Sequence, residues 1–244
     1  TNSALNRLKW IRRNKDKENL TNQNAKLNFS GTTLSTLSPL PISSFKKISN
    51  HEINKESDKN YFHWSEGDIS LGRIGKNKIA SRKENLTSAI TYGVDRFKED
   101  NGVEGFAFRY GIDDIDIGDF ESNLDSRTYN ITYYNTSPMK DDTKYIDKIF
   151  GIGRINSDIR IDQVASSLTA DRTGHQIYGT LKIKDEYKKN NLIFIPSGQI
   201  DLGHTKLDGY RETGDGGIRV EDQHISTQNL SCLLYTSPSP RDST

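Results

Sequence analysis

The chain has 244 residues, 32% hydrophobic and 27% charged, with a net charge of +1 and a mean hydropathy of -0.78. It holds no run of about 18 apolar residues, which excludes a transmembrane helix. A membrane barrel is not excluded, because its strands need an apolar residue only at every second position.

Charge is unevenly spread. Residues 1–60 carry 11 Lys and Arg against 5 acids, whereas residues 61–231 carry 22 against 27, so a basic front precedes an acidic body. The chain starts at Thr1 with no signal peptide and reads as an internal fragment. In SALNRLKWIRRN, Ser3 is the expected cap of a short helix. Leu5, Leu8 and Ile11 form its apolar stripe, with Arg7, Lys9, Arg12 and Arg13 around it. Trp10 among these arginines is too short a basic patch, ahead of too acidic a body, for a nucleic-acid partner. Residues 15–60, rich in Asn, Ser, Thr and Lys and broken by Pro39 and Pro41, read as a polar linker with one or two further helical turns.

From Tyr61 the texture changes to eight alternating runs, expected at Tyr61 to Arg73, Leu86 to Phe97, Gly102 to Ile112, Leu124 to Tyr134, Thr143 to Ile155, Asp171 to Ile183, Leu192 to Gly203 and Ile218 to Leu230. A period of two means a pleated strand with unlike faces. In the third run Phe106, Phe108, Tyr110 and Ile112 oppose Gly105, Ala107, Arg109 and Gly111. Elsewhere Ile90 and Tyr92 oppose Thr91 and Asp95, Tyr129 and Tyr133 oppose Asn130 and Thr132, and Phe150 opposes Gly151. In the sixth run Tyr178 falls on the face opposite Ile177, Leu181 and Ile183, and the alternation is ambiguous. The lengths match the roughly 9 to 11 residues of a tilted membrane strand. The aromatic faces, with Phe106, Phe108, Tyr110, Ile90, Tyr92, Tyr129, Tyr133 and Phe150, are expected to meet lipid, and the small and acidic faces an aqueous interior.

Connections of 12, 11, 15 and 14 residues alternate with ones of 4, 8 and 8 on these boundaries. That is the expected trace of an up-and-down barrel with external loops and short periplasmic turns, and it starts the first strand on the periplasmic side. The fold class is therefore all-β: an antiparallel up-and-down transmembrane barrel with about eight strands, open if incomplete, behind a short helix and linker.

Chemistry finds little purchase. His51 and Glu52 lack the second histidine of a zinc helix, and Gly72 to Lys76 has the wrong spacing for a phosphate loop. Asp113, Asp114, Asp116 and Asp119 read as an acidic external loop, with calcium as the alternative. No catalytic residue, cofactor or metal is assigned. From Cys232 to Asp242, CLLYTSPSPRD resembles a translated transposase sequencing adapter, so residues 232–244 are set aside as an assembly scar.

Two stretches carry a family resemblance. YFHWSEGDISLGRIG at the first strand, and LIFIPSGQIDLGHTKLDGYRETG with Pro196, Gly198, Tyr210, Glu212 and Gly214 in characteristic spacing, resemble the translocator domain of a type V autotransporter. The resemblance covers residues 61–231, with 1–60 as linker helix and linker. It implies a barrel of about twelve strands in the bacterial outer membrane, of which only eight precede the scar, so that the domain is C-terminally truncated. It further implies export of an N-terminal passenger, the linker helix left in the pore, insertion by the barrel-assembly machinery, and outer-membrane lipids as neighbours. On that reading Arg7, Arg12 and Arg13 would face Glu66, Asp68, Asp95 and Asp201 inside the barrel, with Arg109 on the same lining. Some members cleave their linker at an asparagine, a role open to Asn6 or Asn14. A porin-like channel or structural barrel without a passenger is the alternative.

Overall fold

A ribbon with one apolar face must find neighbours for its backbone N–H and C=O groups as well as a medium for that face. The computed structural model describes residues 1–14, 20–31, 61–75, 83–99, 101–118, 122–139, 144–162, 166–185, 187–189 and 192–238. Helix α1 (Asn2–Asn14) is followed by β1 (Asn22–Gly31), β2 (Tyr61–Ile74), β3 (Lys83–Phe97), β4 (Val103–Ile117), β5 (Ser122–Pro138) and β6 (Lys144–Asp162). Then come β7 (Ser167–Asp185), β8 (Tyr187–Lys189), β9 (Leu192–Leu207), β10 (Tyr210–Arg211), β11 (Arg219–Val220) and β12 (Gln223–Pro238). The long strands lie in the order β1-β2-β3-β4-β5-β6-β7-β9-β12, with β8 beside β9 and β10-β11 as a separate small hairpin. From β2 onward every neighbouring pair is antiparallel, as expected of an up-and-down barrel.

The sheet is strongly curved but open. Trp64 on β2 hydrogen-bonds Tyr134 on β5 with β3 and β4 between them, a reach that a flat sheet would forbid. Among the described residues β12 does not pair with β2; β1 runs parallel to β2 instead, Asn22 opposite Trp64 through Gly31 opposite Arg73. Residues 22–31 are thus a strand within the stretch whose composition suggests a linker. NQNAKLNFSG has too weak an alternation to stand out, and the free edge of β2 supplies the partner that makes it a strand.

Other expectations also give way. The strands run to 19 residues in β6 and β7, beyond the expected 9 to 11, and β4 and β5 are separated only by 118–121, β6 and β7 only by 163–166. Connection lengths therefore do not alternate as the sequence indicated. What alternates is polarity along the strand, because the polar residues taken for loops continue the ladder. Asp113, Asp114 and Asp116 belong to β4 and not to a loop; Asp119 lies outside the described residues. The last run begins at Gln223 instead of Ile218 and continues through Cys232 to Pro238, paired with Gly198 back to Leu192, so part of the stretch set aside as a scar completes the ladder. Helix α1 is capped by Thr1, whose carbonyl accepts from Leu5 N at 3.0 Å, and Ser3 is already inside it.

The faces follow the alternation. Phe106, Phe108, Ile90, Tyr92, Tyr129 and Phe150 are exposed on the outside, Phe106 at 62%, while Tyr110 is half-buried against Tyr129 and Tyr133 against Phe106. Tyr178 points inward over Gly151 and meets Thr132 Oγ1 at 2.6 Å, which settles the sixth run. A side chain at Gly151 would collide with that ring, and one at Gly93 with Trp64. The buried core is small and lies inside the curve: Ala4, Leu8 and Ile11 of α1 pack with Leu20, Trp64, Val103, Ala107, Tyr134 and Ile149. Leu5, expected in the central stripe, sits at its margin and Ala4 takes its place.

Candidate functional site in the sheet interior

The concave side of β2 to β7 presents small and polar residues because every second position does so, and α1 lies against them. Arg7 is buried on the helix flank beside the Ala4, Leu8 and Ile11 stripe. It forms a two-pronged pair with Asp95 on β3, Nε to Oδ2 at 2.6 Å and Nη2 to Oδ1 at 2.8 Å, with both side chains 1% exposed. Asp95 also accepts from Tyr134 OH at 2.9 Å, and Tyr134 in turn accepts from Trp64 Nε1 at 2.7 Å. Arg7 reaches Asn22 with its remaining nitrogen and lies 5.1 Å from the Trp10 ring centre and 6.0 Å from that of Trp64. The charge is thus removed from water into a shell of hydrogen bonds and ring faces, the condition under which a buried ion pair is tolerated.

Five residues along the helix, Arg12 repeats the pattern. Its two terminal nitrogens meet the two oxygens of Asp147 on β6 at 2.8 Å each, Thr136 Oγ1 lies at 3.3 Å, and the Tyr145 ring centre at 5.7 Å. Asp95 stands near the end of β3 and Asp147 near the start of β6, so both anchors are at the end of the sheet where β3 joins β4 and β5 joins β6. Thr1 lies toward mid-sheet, within electrostatic reach of Arg109, Asp201 and Glu66. The helix therefore runs along the interior with its N-terminus toward the opposite end.

The expected cluster is only partly assembled. Asp95 meets a helix arginine. Glu66 is buried, and Asp68 lies 3.7 Å from Arg109 with its Oδ1 lacking a hydrogen bond. Arg109 also approaches Thr91 at 3.5 Å. Asp201 is held by Thr180, Gln199 and Asn229 rather than by the helix. The side chains of Arg13 and Asn14, and all of His51, Glu52 and Lys76, lie outside the described residues. Asn6 is exposed, with no carboxylate contact among those described. Among the described residues no three His, Cys, Asp or Glu are grouped to hold a metal. Sequence reading missed Asp147, Trp64 and Tyr134. Asp147 shares the parity of Gly151 and Gly153, and Tyr134 follows outward Tyr133, so the same alternation placed them inside.

Toward the opposite end the faces exchange character. Outward positions become charged: Asp114, Asp125, Asp158 and Asp171 stand in register across β4 to β7. Inward, Ile115, Ile117, Leu124, Ile155, Ile159 and Leu207 line a cavity of about 830 Å³, interspersed with Asp113, Ser126, Thr128 and Ser157.

The sequence model of the autotransporter beta-domain family matches residues 63–231 of the chain. Among solved structures, the translocator domain of autotransporter NalP from Neisseria meningitidis is similar with a TM-score of 0.62 and 13% identity. The match covers 77% of this chain and 66% of that one, so the chain spans just under two thirds of that relative, and at this identity the likeness is one of fold. No curated protein sequence matches.

Proposed function

The chain belongs to the autotransporter beta-domain family, the outer-membrane translocator part of an autotransporter, and from that premise we propose that it exports an N-terminal passenger while α1 remains in the pore. Residues 1–60 act as linker and plug and 61–231 as barrel. The supporting observation is the buried Arg7–Asp95 pair, backed by Arg12–Asp147, which ties the basic front segment to the acidic interior. Opposite charges in a confined, poorly hydrated space attract more strongly than the ~1 kcal/mol of contact in open water, and truncating one partner leaves the other stranded. The exposed aromatics Phe106, Phe108 and Tyr92 face outer-membrane lipid, and the barrel-assembly machinery inserts the domain. The domain works by transport, not catalysis, and requires neither nucleotide nor metal for it. N-terminus-outward placement of α1 gives the passenger a path toward the end of the sheet with the charged outer face.

An epitope joined immediately ahead of Thr1 in the full-length gene tests this on intact cells. Antibody should reach the epitope without permeabilisation. An epitope shielded from antibody while the barrel fractionates with the outer membrane overturns export.

A further inference from the structure

Outside the interior site, two imidazoles meet on the convex face where β9 pairs with β12. His204 Nε2 lies 3.4 Å from His224 Nδ1, with ring centres 5.6 Å apart, and both residues are exposed. That separation is long for a nitrogen hydrogen bond, whose range is about 2.7–3.2 Å. It is close to the spacing, about 3.3 Å, of two nitrogens bound to one tetrahedral zinc at about 2.0–2.1 Å. The other nitrogen of His204 is 3.0 Å from Ser226 Oγ. A partner on one ring nitrogen holds the tautomer that frees the other as a ligand, the usual support of metal-binding histidines.

We infer that His204 and His224 form a two-histidine chelate for a borderline divalent transition metal such as Zn2+, clamping β12 to β9. The surrounding charge favours a cation. Lys206, opposite His224 in the ladder, is engaged by Asp222 at 3.2 Å and Asp208 at 3.5 Å, so the three charges sum to -1. Among the described residues no third His, Cys, Asp or Glu joins the pair, so water fills the remaining positions and the metal exchanges readily. Imidazole prefers such metals over magnesium or calcium, which seek oxygen.

The full 244-residue chain, refolded in zwitterionic detergent, is titrated with ZnCl2 by calorimetry, with MgCl2 as control. One Zn2+ and no Mg2+ should bind. His204→Ala and His224→Ala should each abolish binding, Ser226→Ala should weaken it about tenfold, and His175→Ala on β7 should leave it unchanged. Zinc binding that survives both histidine variants, or is absent from the unmodified chain at millimolar zinc, overturns the inference. A second measurement needs no variant: zinc should protect His204 and His224, but not His63, from diethylpyrocarbonate as mapped by mass spectrometry. Equal modification with and without zinc refutes the site.

Discussion

The two ends of the same strands obey opposite rules. Where β3 joins β4 and β5 joins β6, the outward face is aromatic and the inward face holds glycine, threonine and acids closed over α1; toward 118–121 and 163–166 the outward face gains aspartate and arginine and the inward face gains isoleucine and leucine among serine, threonine and Asp113. Along β4, Phe108 and Asp114 both point out, six residues or about 20 Å apart. Backbone geometry fixes which side chains share a face but not what that face meets. On the proposed export reading, the first end is a membrane wall around a filled pore and the second a sheet standing clear of lipid.

The largest expected effect lies at the filled end. Arg7→Ala strands Asp95 in a pocket where both partners are 1% exposed, and should destabilise helix docking by about 3–5 kcal/mol. Urea titration followed by Trp10 and Trp64 fluorescence reads this, and an unchanged midpoint would mean that α1 is not anchored there. Next, Phe106→Lys should cost about 2–4 kcal/mol in lipid bilayers if it sits at mid-membrane, falling toward the interfaces. Asp158→Lys on the same convex surface should stay within about 0.5 kcal/mol. Equal costs in a vesicle-refolding titration would erase the distinction between the two ends.

The smallest effect concerns the connection 208–222. The Thr173 hydroxyl, then Lys206, hold the Asp208 carboxyl below its ordinary value of 3.8; the Gly209 N–H, then Lys206, do the same for Asp222. Folded values below unfolded ones mean that the stabilisation is present above about pH 4 and is lost as pH falls through the lower folded values. Both carboxylates are exposed, so the effect is small. Hydrogen exchange at Gly209 should quicken at pH 3 relative to a strand amide such as Ile152; equal ratios at pH 3 and 7 would discount these contacts.

Within the eight runs, the ambiguous sixth apart, sequence alone carried which residues share a face, because side-chain alternation is a local property of extended backbone that distant contacts do not alter. It also carried the charge division that α1 and the interior resolve into ion pairs. Three things waited for the tertiary structure. Asn22–Gly31 became a strand only because β2 offered an edge; β4 to β7 ran on past their apolar belts because neighbours continued the ladder; and Arg12 found Asp147, 135 positions away, instead of Asp201. Pairings of that kind are decided by how the curved sheet brings remote residues together, and no pattern within either segment encodes them.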